Sequence, residues 1–172
     1  MGEFRSFETE RLLLRPMSLD DDAFIFQLYN SPKWLQFIGD RNLRNTEDAR
    51  VYIKDRMLPQ LNELGISNYC VIRKVDNFKI GACGLYDREG LQEIDLGFAF
   101  LPEYEGKGYA SEATIKLVEA AKNVFSLKTL QSITRLDNTG SQKLLEKLGF
   151  KHKENIKIPR DPAELMLYQI EL

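Results

Sequence analysis

The sequence predicts a single α/β or α+β domain built around a mixed sheet. The chain has 172 residues, which is enough for one ordinary hydrophobic core and too few for two. Hydrophobic residues make up 43% of the chain, and no Pro/Gly/Ser-rich linker divides it. In the second half, segments with the period of strands alternate with segments with the period of helices. We therefore expect residues 1–172 to form one domain.

The N-terminal part is predicted to hold a short strand and two helices. Residues 12–17 have the composition of a strand, and Pro16 places that strand at a sheet edge or ends it. Ser18-Leu-Asp-Asp21 has the spacing of a capping box and opens the first helix. Thr46 is the predicted cap of the second helix, in which Pro59 indicates a kink or an early stop.

A β-hairpin follows. Residues 68–74 and 78–86 have strand composition and flank the turn sequence Asp76-Asn77. If these two residues form the loop, Cys70 lies directly opposite Cys83. Two packed thiols are then favoured over a disulfide bond.

The rest of the chain continues the alternation of strands and helices. A third strand is predicted over 93–100, a helix over 108–124 and a strand over 130–136. Asn138 is the predicted cap of a short helix that ends at Gly149, and the tail 163–172 is predicted as the last strand. The second half is therefore expected to run β-β-β-α-β-α-β.

Charge and composition argue against several classes of partner. Lysine and arginine total 24 against 26 acidic residues, so the formal net charge is −2 and nucleic acid is a poor candidate. The apolar runs fall far short of the ~18 residues that cross a membrane. Cys70 and Cys83 are too few for a disulfide scaffold, which predicts a reduced, cytoplasmic protein. His152 is the only histidine, so a metal site is not expected.

The turn between the third strand and the long helix is the most informative segment for chemistry. Gly106 and Gly108 lie in it, and small residues allow backbone N–H groups to converge on one point. The start of the helix adds roughly half a positive charge. The turn has neither the spacing of a dinucleotide fingerprint nor the ending of a P-loop. It predicts a site for a phosphate or a diphosphate.

Three motifs resemble the GNAT superfamily of acetyl-coenzyme A-dependent N-acetyltransferases. Glu103-Tyr-Glu-Gly106-Lys-Gly108 matches the signature [Gln/Arg]-x-x-Gly-x-[Gly/Ala], with Glu103 standing where the signature has Gln or Arg. Asn138-Thr-Gly-Ser141, continued to Leu-Gly-Phe150, and the opening Thr9-Glu-Arg-Leu-Leu-Leu-Arg15 are typical of the branch that resembles ribosomal-protein N-terminal acetyltransferases. The resemblance implies a GNAT-like, mixed and mostly antiparallel central sheet flanked by helices. It also implies acetyl-CoA as the acetyl donor and co-substrate.

The resemblance further implies which residues bind the donor. Backbone groups of Phe98, Ala99 and Phe100 would pair with the pantetheine amides as another strand does. Asn138 would contact the pantetheine arm, although its residue type is equally that of a helix cap. The diphosphate would be held by a loop that consists of Glu105, Gly106, Lys107, Gly108, Tyr109 and Ala110. Lys107 or Lys143 would contact the 3′-phosphate.

The reaction needs a base, because only a neutral amine attacks a thioester. Asp95 and Glu93 are the carboxylates nearest in sequence to the predicted donor site, and their spacing of two places both on one side of a strand. Asp95 is our candidate for the general base, against the alternative that both acids are solvated strand residues. Ser141 would lie near the thioester sulfur and donate to the departing thiolate, unless its hydroxyl is satisfied locally.

The acceptor is the least constrained part of the prediction. A protein or peptide N-terminus is favoured, since an α-amine of pKa ~7.8 is partly neutral at pH 7. The alternatives are a small amine such as a polyamine, or a binding module that holds coenzyme A without turnover. Within residues 32–45, core packing is favoured over substrate contact for Trp34. Exposed strands at the C-terminus make a homodimer a reasonable expectation.

Overall fold

Eight strands form one sheet in the structure, a computed structural model that describes residues 4–172. The strands are β1 (Phe7–Glu8), β2 (Leu12–Pro16), β3 (Asn68–Arg73), β4 (Phe78–Tyr86), β5 (Asp95–Phe100), β6 (Thr129–Arg135), β7 (Lys151–Ile156) and β8 (Leu165–Glu171). The helices are α1 (Asp22–Tyr29), α2 (Pro32–Phe37), α3 (Thr46–Tyr52), α4 (Leu58–Leu64), α5 (Tyr109–Asn123) and α6 (Thr139–Lys147).

The sheet is mixed and mostly antiparallel, as predicted. Its strand order is β1-β2-β3-β4-β5-β6-β8-β7, and only β5 and β6 run parallel to each other. Helices cover both faces, which gives the α/β layering expected from the sequence. Within residues 4–172, no helix has the length and apolar character needed to cross a membrane.

Two hydrophobic clusters lie on opposite faces of the sheet, and the alternation of β5 shows how they are separated. Leu96 and Phe100 pack in the cluster that contains α5, whereas Ala99 packs in the cluster formed with α1 and α3. Because side chains alternate along a strand, Asp95 and Gly97 share the face of Ala99. That face is called the α1–α3 face below.

The predicted pairing of the two cysteines is wrong. Cys70 pairs with Ala82, and Cys83 pairs with Tyr69. Residues 74–77 form the connection, which moves the register by two residues from the predicted one, and an irregularity between Val71 and Ile72 moves it back by one. A shift of one residue turns every side chain to the other face. The two thiols therefore lie in different clusters, on opposite faces of the sheet.

The second helical segment differs from the prediction at its start and at its proline. Asn45, not Thr46, is the cap, since its side chain accepts a hydrogen bond from the backbone N–H of Asp48 at 2.8 Å. The helix does not stop at Pro59. A π-helical turn over Ile53–Met57 joins α3 to α4, and wider turns of this kind accommodate a residue that lacks a backbone N–H.

Three elements are absent from the prediction: β1, which with two residues is too short to show a period, and the longer β7 and α2. β7 is exposed on both faces from Lys151 to Asn155, so its sequence has no alternation of apolar and polar residues. α2 has only six residues and no fully buried side chain, so it carries no helical stripe. Periodicity detects elements that bury one face, and neither of these does.

Candidate active site

The sheet splits between β5 and β6. Asp95 and Gln131 are the one register pair between them in the part of the chain that the structure describes. Around this pair, Gln131 N–H donates to the Ile94 carbonyl at 2.9 Å, and the hydroxyl of Ser132 donates to the Leu96 carbonyl at 2.7 Å. Towards the end of β5 the two strands separate. A wedge-shaped gap therefore opens with Asp95 at its vertex.

Unpaired backbone groups line the β5 side of this gap. Leu101 N–H donates to the Ile80 carbonyl of β4 at 2.9 Å, whereas the Leu96 carbonyl faces β6. By the alternation of an antiparallel strand, Phe98 and Phe100 direct their N–H and C=O groups into the gap. Ala99, by contrast, directs its backbone towards β4, where it is paired with Ala82. Of the three residues expected to pair with the pantetheine, Phe98 and Phe100 therefore have backbone groups that face the gap, and Ala99 does not.

The loop at the wide end of the gap presents free donors. Gly106 and Gly108 have φ of 71° and 81°, a left-handed conformation that glycine adopts without strain, and both are exposed. Glu112 is the first residue of this segment whose N–H bonds within the helix, to the Gly108 carbonyl at 3.0 Å. Consequently the N–H groups of residues 106–111 have no acceptor within residues 4–172. At the start of a 15-residue helix, such a set suits a phosphate or diphosphate.

Charged side chains surround this loop without filling it. Glu105 forms an ion pair with Lys33 of α2. The Lys107 ammonium lies 6.0 Å from the centre of the Tyr104 ring and is exposed. Lys143 is exposed on the first turn of α6. Both lysine side chains are therefore exposed to solvent.

The start of α6 carries the two polar residues of the second motif. The Asn138 side chain caps the helix by accepting from the Ser141 N–H at 3.2 Å. The Ser141 hydroxyl makes no hydrogen bond within the described residues, so the alternative in which it is satisfied locally is not what the structure shows. The capping side chain of Asn138 and the free hydroxyl of Ser141 therefore both lie at the start of α6.

Asp95 is buried, with 1% of its surface exposed. Its Oδ2 accepts a hydrogen bond from Arg88 Nε at 2.6 Å, and its Oδ1 has no partner within residues 4–172. Burial raises the pKa of Asp95 to about 6, although the Arg88 guanidinium opposes this rise. The carboxylate is therefore a stronger base than an exposed aspartate, and its unpaired Oδ1 is buried.

Glu93 does not accompany Asp95. The strand begins at Asp95, so Glu93 precedes it and is exposed, with its backbone N–H donating to Gln131 Oε1 at 3.3 Å. The prediction that both acids lie on one side of a strand is wrong, because the alternation does not extend into the preceding loop. The alternative of a solvated acid holds for Glu93 and fails for Asp95.

Tyr86 is a site residue that sequence reasoning missed. It pairs with Asp95 across β4 and β5, so the two side chains share the α1–α3 face. Its ring lies over Gly84 and Gly97: a Cβ on Gly97 would stand 2.7 Å from Cε2 of the ring. Its hydroxyl donates to the side-chain oxygen of Asn68. The signal that could have identified Tyr86 is the pair of glycines, Gly84 and Gly97, that lie opposite each other beneath its ring.

Aromatic side chains from the helices gather on the same face. Trp34 of α2 stacks on Tyr29 of α1, with ring centres 3.7 Å apart and an angle of 16° between the planes. Tyr52 meets Tyr29 edge-on at 5.4 Å. Burial raises the pKa of Tyr29, and the nearby phenols of Tyr86 and Tyr52 raise it further. The three tyrosines therefore lie close together. Trp34 is half-buried by this stacking, so packing is its role in the structure.

The family model and the relatives named N-acetyltransferases identify the chain as an acyltransferase. It belongs to the GNAT acetyltransferase family, whose domain model matches residues 11–151. It is 31% identical over 145 residues to the N-acetyltransferase p20 of Bacillus licheniformis, covering 83% of this chain and 80% of p20.

Solved structures share the fold over nearly the whole length. An acetyltransferase from Agrobacterium tumefaciens matches with a TM-score of 0.81 and 24% identity, covering 99% of this chain and 96% of that one. The ribosomal-protein-S5-alanine acetyltransferase from Vibrio fischeri matches with a TM-score of 0.77 and 19% identity, covering 97% and 96%. The predicted superfamily is therefore confirmed, and the donor that this family uses is acetyl-CoA.

Proposed function

We propose that this chain transfers the acetyl group of acetyl-CoA to the α-amine of a protein or peptide N-terminus. The observation that carries the proposal is the wedge between β5 and β6, with a buried carboxylate at its vertex and free N–H groups at its mouth. The donor would lie along this wedge. The amine would reach its vertex from the α1–α3 face, on which Asp95 and Tyr86 stand.

Each part of the wedge suits one part of the donor. The N–H groups of the loop from Glu105 to Ala110 would hold the diphosphate, and Lys107 or Lys143 the 3′-phosphate. Phe98 and Phe100 would pair with the pantetheine amides through their open backbone groups. Asn138 would contact the pantetheine while it caps α6. Bound acetyl-CoA would supply an activated carbonyl at the vertex.

Asp95 would act as the general base, directly or through water. With a pKa of about 6 it is mostly ionised at pH 7. Taking a proton from an α-ammonium of pKa ~7.8 then costs roughly 2–3 kcal/mol, against roughly 6 kcal/mol for a lysine-like amine of pKa ~10.4. A base of this strength favours an α-amine over a polyamine. Glu93 is too exposed to share this role.

The departing thiolate would be stabilised by a hydrogen bond donated from the Ser141 hydroxyl, which has no competing partner in the described residues, and would take its proton from solvent. The amine would attack the carbonyl directly. A cysteine intermediate is disfavoured because Cys70 and Cys83 are both buried, and burial raises the pKa of Cys70 to about 12.

The test is an acceptor panel with acetyl-CoA and purified protein. The panel comprises a peptide with a free N-terminal alanine, the same peptide blocked at its N-terminus but carrying a lysine, and spermidine. Thiol release and the mass of each acceptor are measured. We expect acetylation of the free N-terminus. A preference for spermidine would support the polyamine alternative, and coenzyme A binding without any turnover would support a non-catalytic module.

A further inference from the structure

The N-terminal motif Thr9-Glu-Arg11 is tied to the start of α5. The Glu112 Oε1 accepts hydrogen bonds from the Thr9 hydroxyl at 2.6 Å and from the Arg11 backbone N–H at 2.9 Å. Its Oε2 accepts from Arg11 Nε at 2.7 Å. One carboxylate in the first turn of the helix is thus held by three donors from the connection between β1 and β2.

The Arg11 guanidinium also touches the loop itself. Its Nη1 donates to the Lys107 carbonyl at 3.0 Å, and its carbon lies 4.4 Å from the centre of the Tyr109 ring. A Cβ on Gly108 would stand 3.3 Å from its Nη2. The guanidinium therefore contacts three consecutive residues of the segment that carries the free N–H groups.

The bond to the Lys107 carbonyl has a directional consequence. In a trans peptide, the C=O of one residue and the N–H of the next point in opposite directions. All the described peptides are trans, so fixing the Lys107 carbonyl towards Arg11 turns the Gly108 N–H away from it. Two glycines with positive φ leave this peptide free to rotate otherwise.

The ion pair between Arg11 and Glu112 has an electrostatic consequence as well. Burial works to raise the pKa of Glu112, but hydrogen bonds from Thr9 and Arg11 lower it overall, so this carboxylate stays charged. A bare negative charge one turn from the free N–H groups would oppose a diphosphate. Arg11 neutralises that charge at 2.7 Å.

We propose that Thr9 and Arg11 form a positioning clamp for the diphosphate-binding loop. The clamp acts through Glu112 and the Lys107 carbonyl, and it does not itself bind the diphosphate. Two of the three guanidinium nitrogens of Arg11 are already committed to these partners. This inference rests on the proposed function, since it presumes that the loop holds the diphosphate of coenzyme A.

Calorimetry separates the clamp from the other possibilities. Coenzyme A and dephospho-coenzyme A, which lacks only the 3′-phosphate, are titrated into the wild type and Arg11→Ala. We expect binding of both ligands to weaken by about tenfold or more, because hydrogen bonds to charged groups are lost. Thr9→Val, which removes one of the three bonds to Glu112 and the bond from the Leu12 N–H to the Thr9 hydroxyl, should weaken both by a few-fold. Lys116→Ala on the same helix, which breaks only the pair with Glu119, should change neither.

Turnover with S-acetylpantetheine, which has no diphosphate, provides the second readout. The clamp predicts that Arg11→Ala leaves kcat/KM for this donor within about twofold of the wild type while lowering it for acetyl-CoA. Equal losses for both donors would show a general structural role and overturn the proposal. Unchanged binding of coenzyme A would overturn it too. A loss confined to the 3′-phosphorylated ligand would make Arg11 a direct ligand.

Two further outcomes can be told apart from a result that overturns the clamp and nothing else. If the wild type binds no coenzyme A, the proposed function itself fails. If Arg11→Ala does not fold, as judged by its thermal melt, Thr9→Val decides the question. Its side chain has nearly the same shape, and unchanged coenzyme A affinity in that variant would overturn the proposal.

Discussion

Lys33 of α2 is paired with Glu105 of the loop that we propose holds the diphosphate. This contact joins an element of the α1–α3 face to the loop at the mouth of the wedge. Glu105 would otherwise place an unpaired negative charge beside a site for an anionic ligand. The pairing therefore connects the expected positions of the acceptor and the donor.

Reversing the charge of Lys33 is expected to weaken binding of acetyl-CoA. In Lys33→Glu, two carboxylates would face the diphosphate, so KM for acetyl-CoA should rise several-fold at low salt. Because both partners are partly exposed, the effect should shrink in about 1 M salt, where the screening length is about 3 Å. KM measured at the two salt concentrations tests this. Lys54→Glu on the π-helical turn changes net charge equally and should leave KM unaltered.

Substitution of Asp95, the proposed base, is expected to lower the rate of acetyl transfer and to leave donor binding unchanged. Asp95→Asn keeps the shape of the side chain, and kcat should fall by about 10²–10³-fold. Glu93→Gln is the matched control and should retain activity, since Glu93 is exposed and precedes the strand. Comparable losses in both variants would contradict the assignment.

The pH profile gives an independent check of Asp95. Its pKa is raised to about 6, so the group is protonated and inactive as a base below that pH. The kcat/KM of the wild type should therefore rise with pH through about 6. A rise near ~7.8, which belongs to the α-amine of the acceptor, should appear only in Asp95→Asn, where no base removes the proton and the amine must be neutral beforehand. A profile of Asp95→Asn that still rises through about 6 would exclude this residue as the origin of the rise in the wild type.

Ser141 is expected to contribute to turnover without contributing to the helix cap. The cap uses the Ser141 backbone N–H, so Ser141→Ala should preserve the melting temperature and lower kcat by roughly tenfold. Asn138→Ala, in contrast, removes the acceptor of the cap and should cost about 1 kcal/mol of unfolding free energy. Urea unfolding and initial rates of both variants separate the two roles.

Acid stability should depend on Asp21, which is fully buried between Arg15 and Lys79. Burial works to raise the pKa of Asp21, but hydrogen bonds from Arg15 and Lys79 lower it to about 2 overall. A lowered carboxyl pKa stabilises the fold above the unfolded value of 3.8, and this stability is lost as pH falls through about 2. We expect a loss of about 2 kcal/mol over that interval. In Asp21→Asn, the free energy of unfolding measured with urea should not show this loss between pH 3.8 and about 2.

The part of the site that follows from local sequence was predictable. Gly106 and Gly108 mark the loop because the turn needs two left-handed residues before a helix with a clear apolar face. Asn138 was predictable as a cap for the same local reason. Such features depend on neighbours within a few positions, which the sequence displays directly.

The part that depends on distant contacts was not predictable. The hydrogen bond between Thr9 and Glu112 joins residues 103 positions apart, and no local pattern indicates it. Asp95 and Glu93 have the same chemistry in sequence, and only the start of β5 at Asp95 makes one buried and the other exposed. The connection after Arg73 likewise decided the hairpin register, which composition alone leaves open.

The separation of Cys70 and Cys83 by the thickness of the sheet has a practical consequence. An oxidant cannot join these sulfurs within one folded molecule, because a disulfide requires side chains that point towards each other and these point to opposite faces of the sheet. Both thiols are also inaccessible to a colorimetric thiol reagent while the chain is folded. Colour that develops during turnover therefore reports released coenzyme A, and colour without substrate reports unfolding.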